Sequence, residues 1–255
     1  MALPNSGILS LQDIAGEFGG SVPHGLQEYY GVASGIPASG EIGIQDFYGA
    51  SAFSVVGATA KANLGSSIAL PLGTAVGDFC ILACYSLYSV DVSLYEPVNM
   101  QGLTERYTNY PLQGLQAVWA GVLTGTSTIN LNSSGNRGAY VCITISGSSW
   151  EAMETYGPYN VHWGVEPDPP DLKDFVSGDI CIALAGTGDA NNGNFNSAPT
   201  GFTLGANAFN SNGGDTAMGV AYKNSAGGTE DPGRFGNDNG GFPYPMGVTI
   251  RIVAA

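Results

Sequence analysis

A chain of 255 residues can hold one large β domain or two ordinary ones, with a core that needs no covalent staples. Its 21 acidic residues against 7 basic ones give a formal charge of −14, a field that repels phosphate backbones and anionic lipid. The few cations (Lys61, Arg106, Arg137, Lys173, Lys223, Arg234, Arg251) are scattered, which excludes nucleic-acid binding.

Thirty-nine glycines, 13 tyrosines and few helix formers describe an all-β protein with many turns. A disordered Gly-rich chain is excluded by a hydrophobic content of 44%, gathered in runs suited to burial. The first residues carry neither a basic stretch nor an apolar one, so no secretory signal is expected, and no apolar run reaches membrane-spanning length.

The N-terminal segment repeats a phrase. LPNSGILSLQDI (Leu3 to Ile14) returns as IPASGEIGIQDF (Ile36 to Phe47), and a shorter copy, GLQEYYG (Gly25 to Gly31), matches GIQDFYG (Gly43 to Gly49) in chemistry. Ser10 and Asp13 have capping-box spacing, in which hydroxyl and acid satisfy backbone N–H groups at a helix start. Each unit therefore predicts a short helical turn closed by Gly19, Gly31 or Gly49. Turns this short are marginal alone. Their apolar residues Leu11, Ile14, Phe18, Leu26, Tyr29, Tyr30, Ile44, Phe47 and Tyr48 are expected to be too few for an independent core, and so to dock on a partner.

This doubled pattern, LPxSGxISLxDI followed by IPxSGxISxxDFYG, resembles the N-terminal segment of tailed-bacteriophage virion proteins, particularly tail and fibre-associated ones. The resemblance implies attachment of residues 1–50 to a virion assembled in the host cytoplasm. In this chain Gly43 stands where the pattern has Ser, so the second copy loses its hydroxyl cap.

Residues 52–255 are expected to form a β-sandwich of the jelly-roll type. Candidate strands in chain order are FSVVGATA, SSIALPL, DFCILACYSLY, GLQAVWAGVLT, STINL, AYVCITISG, DICIALAGT, GFTLGANAF, TAMGVAYKN and GVTIRIVAA. Continuous apolar runs such as DFCILAC suit strands buried on both faces. Trp119 is expected in the core. GDFCILA and GDICIAL place Cys80 on Cys181; PVNMQGLT and PTGFT, AVWAGVL and AMGVAYK, then AYVCITI and MGVTIRI follow in the same order. This predicts an internal duplication, 52–146 and 147–255. The body also resembles a β-sandwich of phage structural proteins, through GDICIALAG, PTGFT, VAYK and GTEDPG. SGSSWEAMETYGPYNVHWGVEPDPP is read as an aromatic connector packed between the halves, so one sandwich is favoured over two.

Chemistry is sparse. No GxSxG elbow accompanies the two histidines, His24 and His162, and the four cysteines, Cys80, Cys84, Cys142 and Cys181, lie in apolar runs as small hydrophobes. HWGVE cannot aim His162 and Glu166 from one helix because Gly164 interrupts it. GDANNGN departs from a calcium loop, with Thr200 at the twelfth position from Asp189. The acid pairs Glu151/Glu154 and Glu230/Asp231 read as surface turns. No catalytic residue, metal or cofactor is assigned, and no enzyme is expected. Trp150, Tyr156, Tyr159 and Trp163 are candidates for a subunit interface or a glycan platform.

The expected function is thus a non-enzymatic virion structural protein, tail or fibre-associated, with other virion proteins as partners. By family analogy it forms a homo-oligomer, with a trimer as one possibility. The alternatives are a capsid decoration protein and an adhesin for host surface glycans.

Overall fold

The computed structural model describes residues 3–4, 6–30, 36–37, 39–48, 54–62, 67–86, 97–110, 114–131, 138–146, 150–160, 166–176, 179–188, 194–211, 215–236 and 245–254; within these, residues 102–110, 114–116, 150–160 and 253–254 are described as backbone alone.

Among the described residues, one helix, α1 (Leu11–Phe18), and two 3-10 turns, Leu26–Tyr29 and Ile44–Phe47, precede fourteen strands. The first seven are β1 (Ser54–Ala62), β2 (Ser67–Ala69), β3 (Phe79–Ser86), β4 (Met100–Tyr110), β5 (Gly114–Leu123), β6 (Thr128–Asn130) and β7 (Ala139–Ser146). The others are β8 (Trp150–Asn160), β9 (Leu172–Phe175), β10 (Ile180–Thr187), β11 (Thr203–Asn210), β12 (Thr216–Asn224), β13 (Gly228–Glu230) and β14 (Met246–Ala254). All pairings are antiparallel.

All ten sequence-predicted strands are present, as β1, β2, β3, β5, β6, β7, β10, β11, β12 and β14. One prediction is corrected: the expected connector WEAMETYGPYN is strand β8 itself, paired to β14 with Thr249 opposite Tyr156 and Gly247 opposite Tyr159.

The first large sheet has the order β1-β7-β3-β5-β4 and the second β11-β12-β10-β14-β8, with small sheets β2-β6 and β9-β13. Each large sheet thus takes its strands from one half of the body. Adding seven to every strand number of the first sheet gives the second, read from its other edge, and β2-β6 becomes β9-β13.

Ile81, Val141 and Ile143 of the first sheet join Ile182, Val220 and Ile250 of the second in one buried cluster, so the two sheets close on each other as a sandwich. The outer face of the first sheet is buried too. Cys80, Leu82, Trp119 and Tyr140 pack there under Ile68 and Ile129 of β2 and β6. Outside the second sheet, Ala183, Ala185 and Ala217 pack against Phe195 and Phe235, whose rings meet edge-on at 5.4 Å. Strands covered on both sides are why FCILACYS and ICIALAGT lack the polar alternation of a half-exposed strand.

The two central strands begin alike. Asp78 Oδ2 accepts the Ala75 N–H at 2.8 Å and Asp179 Oδ2 accepts the Val176 N–H at 2.8 Å, so each closes a tight turn just before β3 or β10. Their far ends meet across the core. A methyl group on Gly186 would lie 2.5 Å from the Tyr85 ring. We expect Gly186→Ala to cost about 1–3 kcal/mol by overpacking, and Tyr85→Leu in the same chain to recover most of it, both read by urea unfolding. A Gly186→Ala protein as stable as wild type would mean that the sheets do not touch there.

The same ends are tied by Asn210 Nδ2, which donates to the Gly138 carbonyl at 3.0 Å. At the opposite pole, Ser54 opening β1 pairs with Ser146 closing β7, their hydroxyls 3.2 Å apart. Trp150 opening β8 pairs with Ala254. The body is therefore entered, crossed over and left at one pole.

Candidate docking site

Residues 3–48 build a small structure from their repeats. Ser10 Oγ accepts the Asp13 N–H at 3.2 Å, and Asp13 Oδ2 accepts the Ser10 N–H at 2.8 Å, completing the predicted capping box. The Ser10 hydroxyl, which donates to Asp13 Oδ2 at 2.6 Å, and then the Ser10 N–H hold the Asp13 carboxyl below its ordinary pKa. The other units open on glycine and make only the return bond, Gly25 N–H to Glu28 Oε1 at 3.1 Å and Gly43 N–H to Asp46 Oδ2 at 2.8 Å. The lost hydroxyl cap predicted for the second copy is thus observed, together with the tighter 3-10 geometry.

The residue after each acid points inward: Ile14, Tyr29 and Phe47 are all buried. Phe18, Tyr29 and Phe47 form an aromatic triad with centroids 5.9–6.4 Å apart, two of the three contacts edge-on. Leu3, Leu9 and Ile36 close the same cluster, which draws on residues 3–48 alone. Phenol groups tie the units together. Tyr29 donates to the Gly19 carbonyl at 3.0 Å, Tyr48 to the Gly7 carbonyl at 2.6 Å, and Tyr30 to the Gly40 carbonyl.

The expectation that this segment lacks a core of its own is therefore corrected. Counting apolar residues missed that one aromatic centre serves three units at once. Of the nine residues assigned to docking, Ile14, Tyr29 and Phe47 are buried inside the segment; Leu11, Phe18, Leu26, Tyr30 and Tyr48 are half-buried; Ile44 is exposed.

Two exposed aliphatics were missed: Ile8 is 96% exposed and Val22 85%. A signal for the first existed, because Ile8 occupies the slot that the second copy fills with Glu41, a position that tolerates charge.

In the body, Trp119 is fully buried, as predicted. Trp150, Tyr156 and Tyr159 lie along the edge strand β8, and Trp163 lies outside the described residues. So do His162, Asp189 and Asp238. Glu230 faces Lys223 at 2.5 Å and accepts the Ser225 hydroxyl at 2.5 Å, so it belongs to an ion pair and not to a carboxylate pair with Asp231. His24 Nδ1 lies 3.1 Å from Glu28 Oε1, inside the N-terminal segment.

All four cysteines are free and buried. Cys80 and Cys142 lie 3.4 Å apart, sulfur to sulfur, across β3 and β7. Burial pushes the Cys84 and Cys181 thiols up to about 12, which leaves them protonated and poor nucleophiles at neutral pH. Among the described residues, no group of three or more His, Cys, Asp or Glu is arranged to hold a metal ion, and no helix is long and apolar enough to cross a membrane.

No protein-family model, curated protein or solved structure matches the chain.

Proposed function

We propose that the chain is a non-enzymatic structural component of a tailed-phage particle, attached through residues 1–50 and displaying the β-sandwich for assembly or host contact. The observation that carries this reading is the N-terminal structure. Three repeated units fold around one aromatic centre, yet leave Ile8, Val22 and Ile44 in solvent. A compact head that exposes aliphatics on the way into a larger body is suited to docking on another protein. Its sequence pattern resembles virion attachment segments. Copies arrayed on a symmetric particle would add avidity to individually weak contacts.

The test uses particles grown from the genome that carries this chain. Purified protein is mixed with isolated tails and with tail-less heads, and co-sedimentation is measured. We expect binding to tails, and we expect Ile8→Asp with Val22→Asp to lower it about tenfold or more, since desolvated aliphatic anchors dominate small interfaces. Binding to heads alone would favour capsid decoration. Binding to neither, with capture on a host-glycan array, would favour the adhesin.

We also infer that the body is a tandem duplication of a seven-strand unit, one sheet from each copy. The matching strand orders, the Asp78 and Asp179 turns and the equivalence of Cys80 with Cys181 support this. A jelly roll accounts less well for sheets that each come from one contiguous half.

A further inference from the structure

We infer that the N-terminal structure is a closed ring of three equivalent units, and that this ring seats on a protein whose three identical subunits surround one axis. The inference rests on the particle-bound reading above; it adds the symmetry of the partner and the side chains that meet it.

The short copy at Gly25 belongs to a full one. Laid on Leu3 to Ile14 and Ile36 to Phe47, the stretch FGGSVPHGLQEY (Phe18 to Tyr29) has the Ser, the Gln, the acid and the closing apolar residue at the same places. The first residues of the units, Leu3, Phe18 and Ile36, and the last, Ile14, Tyr29 and Phe47, all meet in one cluster. The ties between units repeat as well. Tyr30, just after the second unit, donates to the Gly40 carbonyl in the third, and Tyr48, just after the third, donates to the Gly7 carbonyl in the first. Gly7 and Gly40 hold the same place in their units and the same left-handed backbone, with φ of 102° and 94°. Two like steps, the second of which returns to the first unit, describe a closed ring.

The outside of this ring is more alike than its inside. Ile, Tyr and Phe alternate at the buried closing position, whereas Ser6, Ser21 and Ser39 are all exposed, and so are Gln12, Gln27 and Gln45. The acids are accounted for by the backbone N–H groups they accept. The Ser and Gln side chains are not: among the described residues none of these six makes a hydrogen bond. Exposed side chains without partners contribute little to stability, so folding does not require them to match. Gln27 and Gln45 do lie over Gly25 and Gly43, where an added methyl group would run into them. In the first unit Ser10 fills that place with its own Cβ, and Gln12 is present all the same.

Beside each Gln stands the aliphatic that opens the helix or turn, half-buried in Leu11 and Leu26 and exposed in Ile44. Each unit therefore turns the same set outward: a hydroxyl, an amide and an aliphatic edge. Exposed polar residues repeated without an internal role point to binding. Three like sets around a ring call for three like surfaces, which a partner with closed rotational symmetry supplies. A primary amide carries two N–H donors and a carbonyl acceptor, the complement of a peptide group on each partner subunit.

The test uses the full chain and particles grown from the genome that carries it. All four native cysteines are buried, so a thiol-reactive photocrosslinker on Gln12→Cys, Gln27→Cys or Gln45→Cys labels one unit at a time. After irradiation on particles, mass spectrometry should find all three positions joined to the same partner peptide. Gln12→Ala, Gln27→Ala and Gln45→Ala should each lower co-sedimentation about fivefold, alike within about twofold, at an unchanged melting midpoint. Glu41→Ala, at a place where the other units have Ile8 and Pro23, should bind as wild type. The inference is overturned if the three crosslinks fall on different peptides, or if the three alanine variants bind normally or unequally. If Ile8→Asp with Val22→Asp weakens binding in that case, attachment uses the unrepeated aliphatics and the particle reading stands. Crosslinks to other copies of this chain overturn it too, since the occupant is then the chain itself. Wild-type protein that ignores the particles overturns both readings.

Discussion

Replacing Phe47 by alanine should unfold the N-terminal structure while leaving the sandwich intact. Phe47 is fully buried and is the member of the aromatic triad that meets both other rings edge-on, Phe18 at 6.2 Å and Tyr29 at 5.9 Å. Truncating a buried phenylalanine costs about 3–5 kcal/mol, from lost transfer energy and the cavity left behind. A core of about fifty residues has little more than that to lose. Amide hydrogen exchange should show residues 9–48 losing protection while β3, β7, β10 and β14 keep theirs. The particle binding proposed above should fall with it, because the exposed Ile8, Val22 and Ile44 would no longer be held on one scaffold. Loss of protection throughout the sandwich would show that the segment belongs to the core of the body. Unchanged exchange would show that the triad is not a core at all.

The second large effect is expected at Arg251. Its Nε donates to Asp179 Oδ2 at 2.7 Å, and its guanidinium carbon lies 5.7 Å from the centre of the Phe175 ring. Asp179 is only 4% exposed and also accepts the Val176 N–H. Arg251→Met would therefore strand a buried carboxylate, a change that costs about 3–5 kcal/mol when one partner of a buried pair is removed. Adding Asp179→Asn should restore much of the loss, because the amide oxygen can still accept from Val176 without carrying a charge. The check is the urea midpoint of the single and double variants at neutral pH. A single variant within about 1 kcal/mol of wild type, the range of exposed pairs, would mean that solvent reaches this pair.

This pair also marks where the two halves of the body differ. Across the second sheet, Lys223 and Arg251 flank Cys181 on β12 and β14, whereas in the first sheet Gly121 and Thr144 flank Cys80. Lys223 and Arg251 bring carboxylate partners, Glu230 and Asp179, under the cover of β9 and β13. In the first sheet the corresponding room beside Gly121 is taken by the Gln101 carbonyl, which a methyl group there would meet at 2.7 Å.

How much of this was legible in the sequence follows from where each signal resides. Central strands announce themselves by continuous apolar runs, and all of them were read. The edge strands β4 and β8 were not. MQGLTERYTNY and WEAMETYGPYN carry charges, glycine or Gly-Pro, and their strand character comes from a neighbour that supplies one side of hydrogen bonds. Strands β9 and β13, of four and three residues, are too short to show a period. The capping bonds of the N-terminal units were visible because they are local. Their shared aromatic centre was not, because it depends on where three distant turns meet.

Tyr85 and Gly186 occupy corresponding positions when Cys80 is laid on Cys181, and they face each other across the core at the far ends of β3 and β10. Two identical halves could not be joined in this way. Tyrosine in both would drive ring into ring, and glycine in both would leave a hole the size of a side chain. The pair works as a key and its lock, so each half fits the other better than a copy of itself, and a fit of that kind discourages the exchange of halves between molecules.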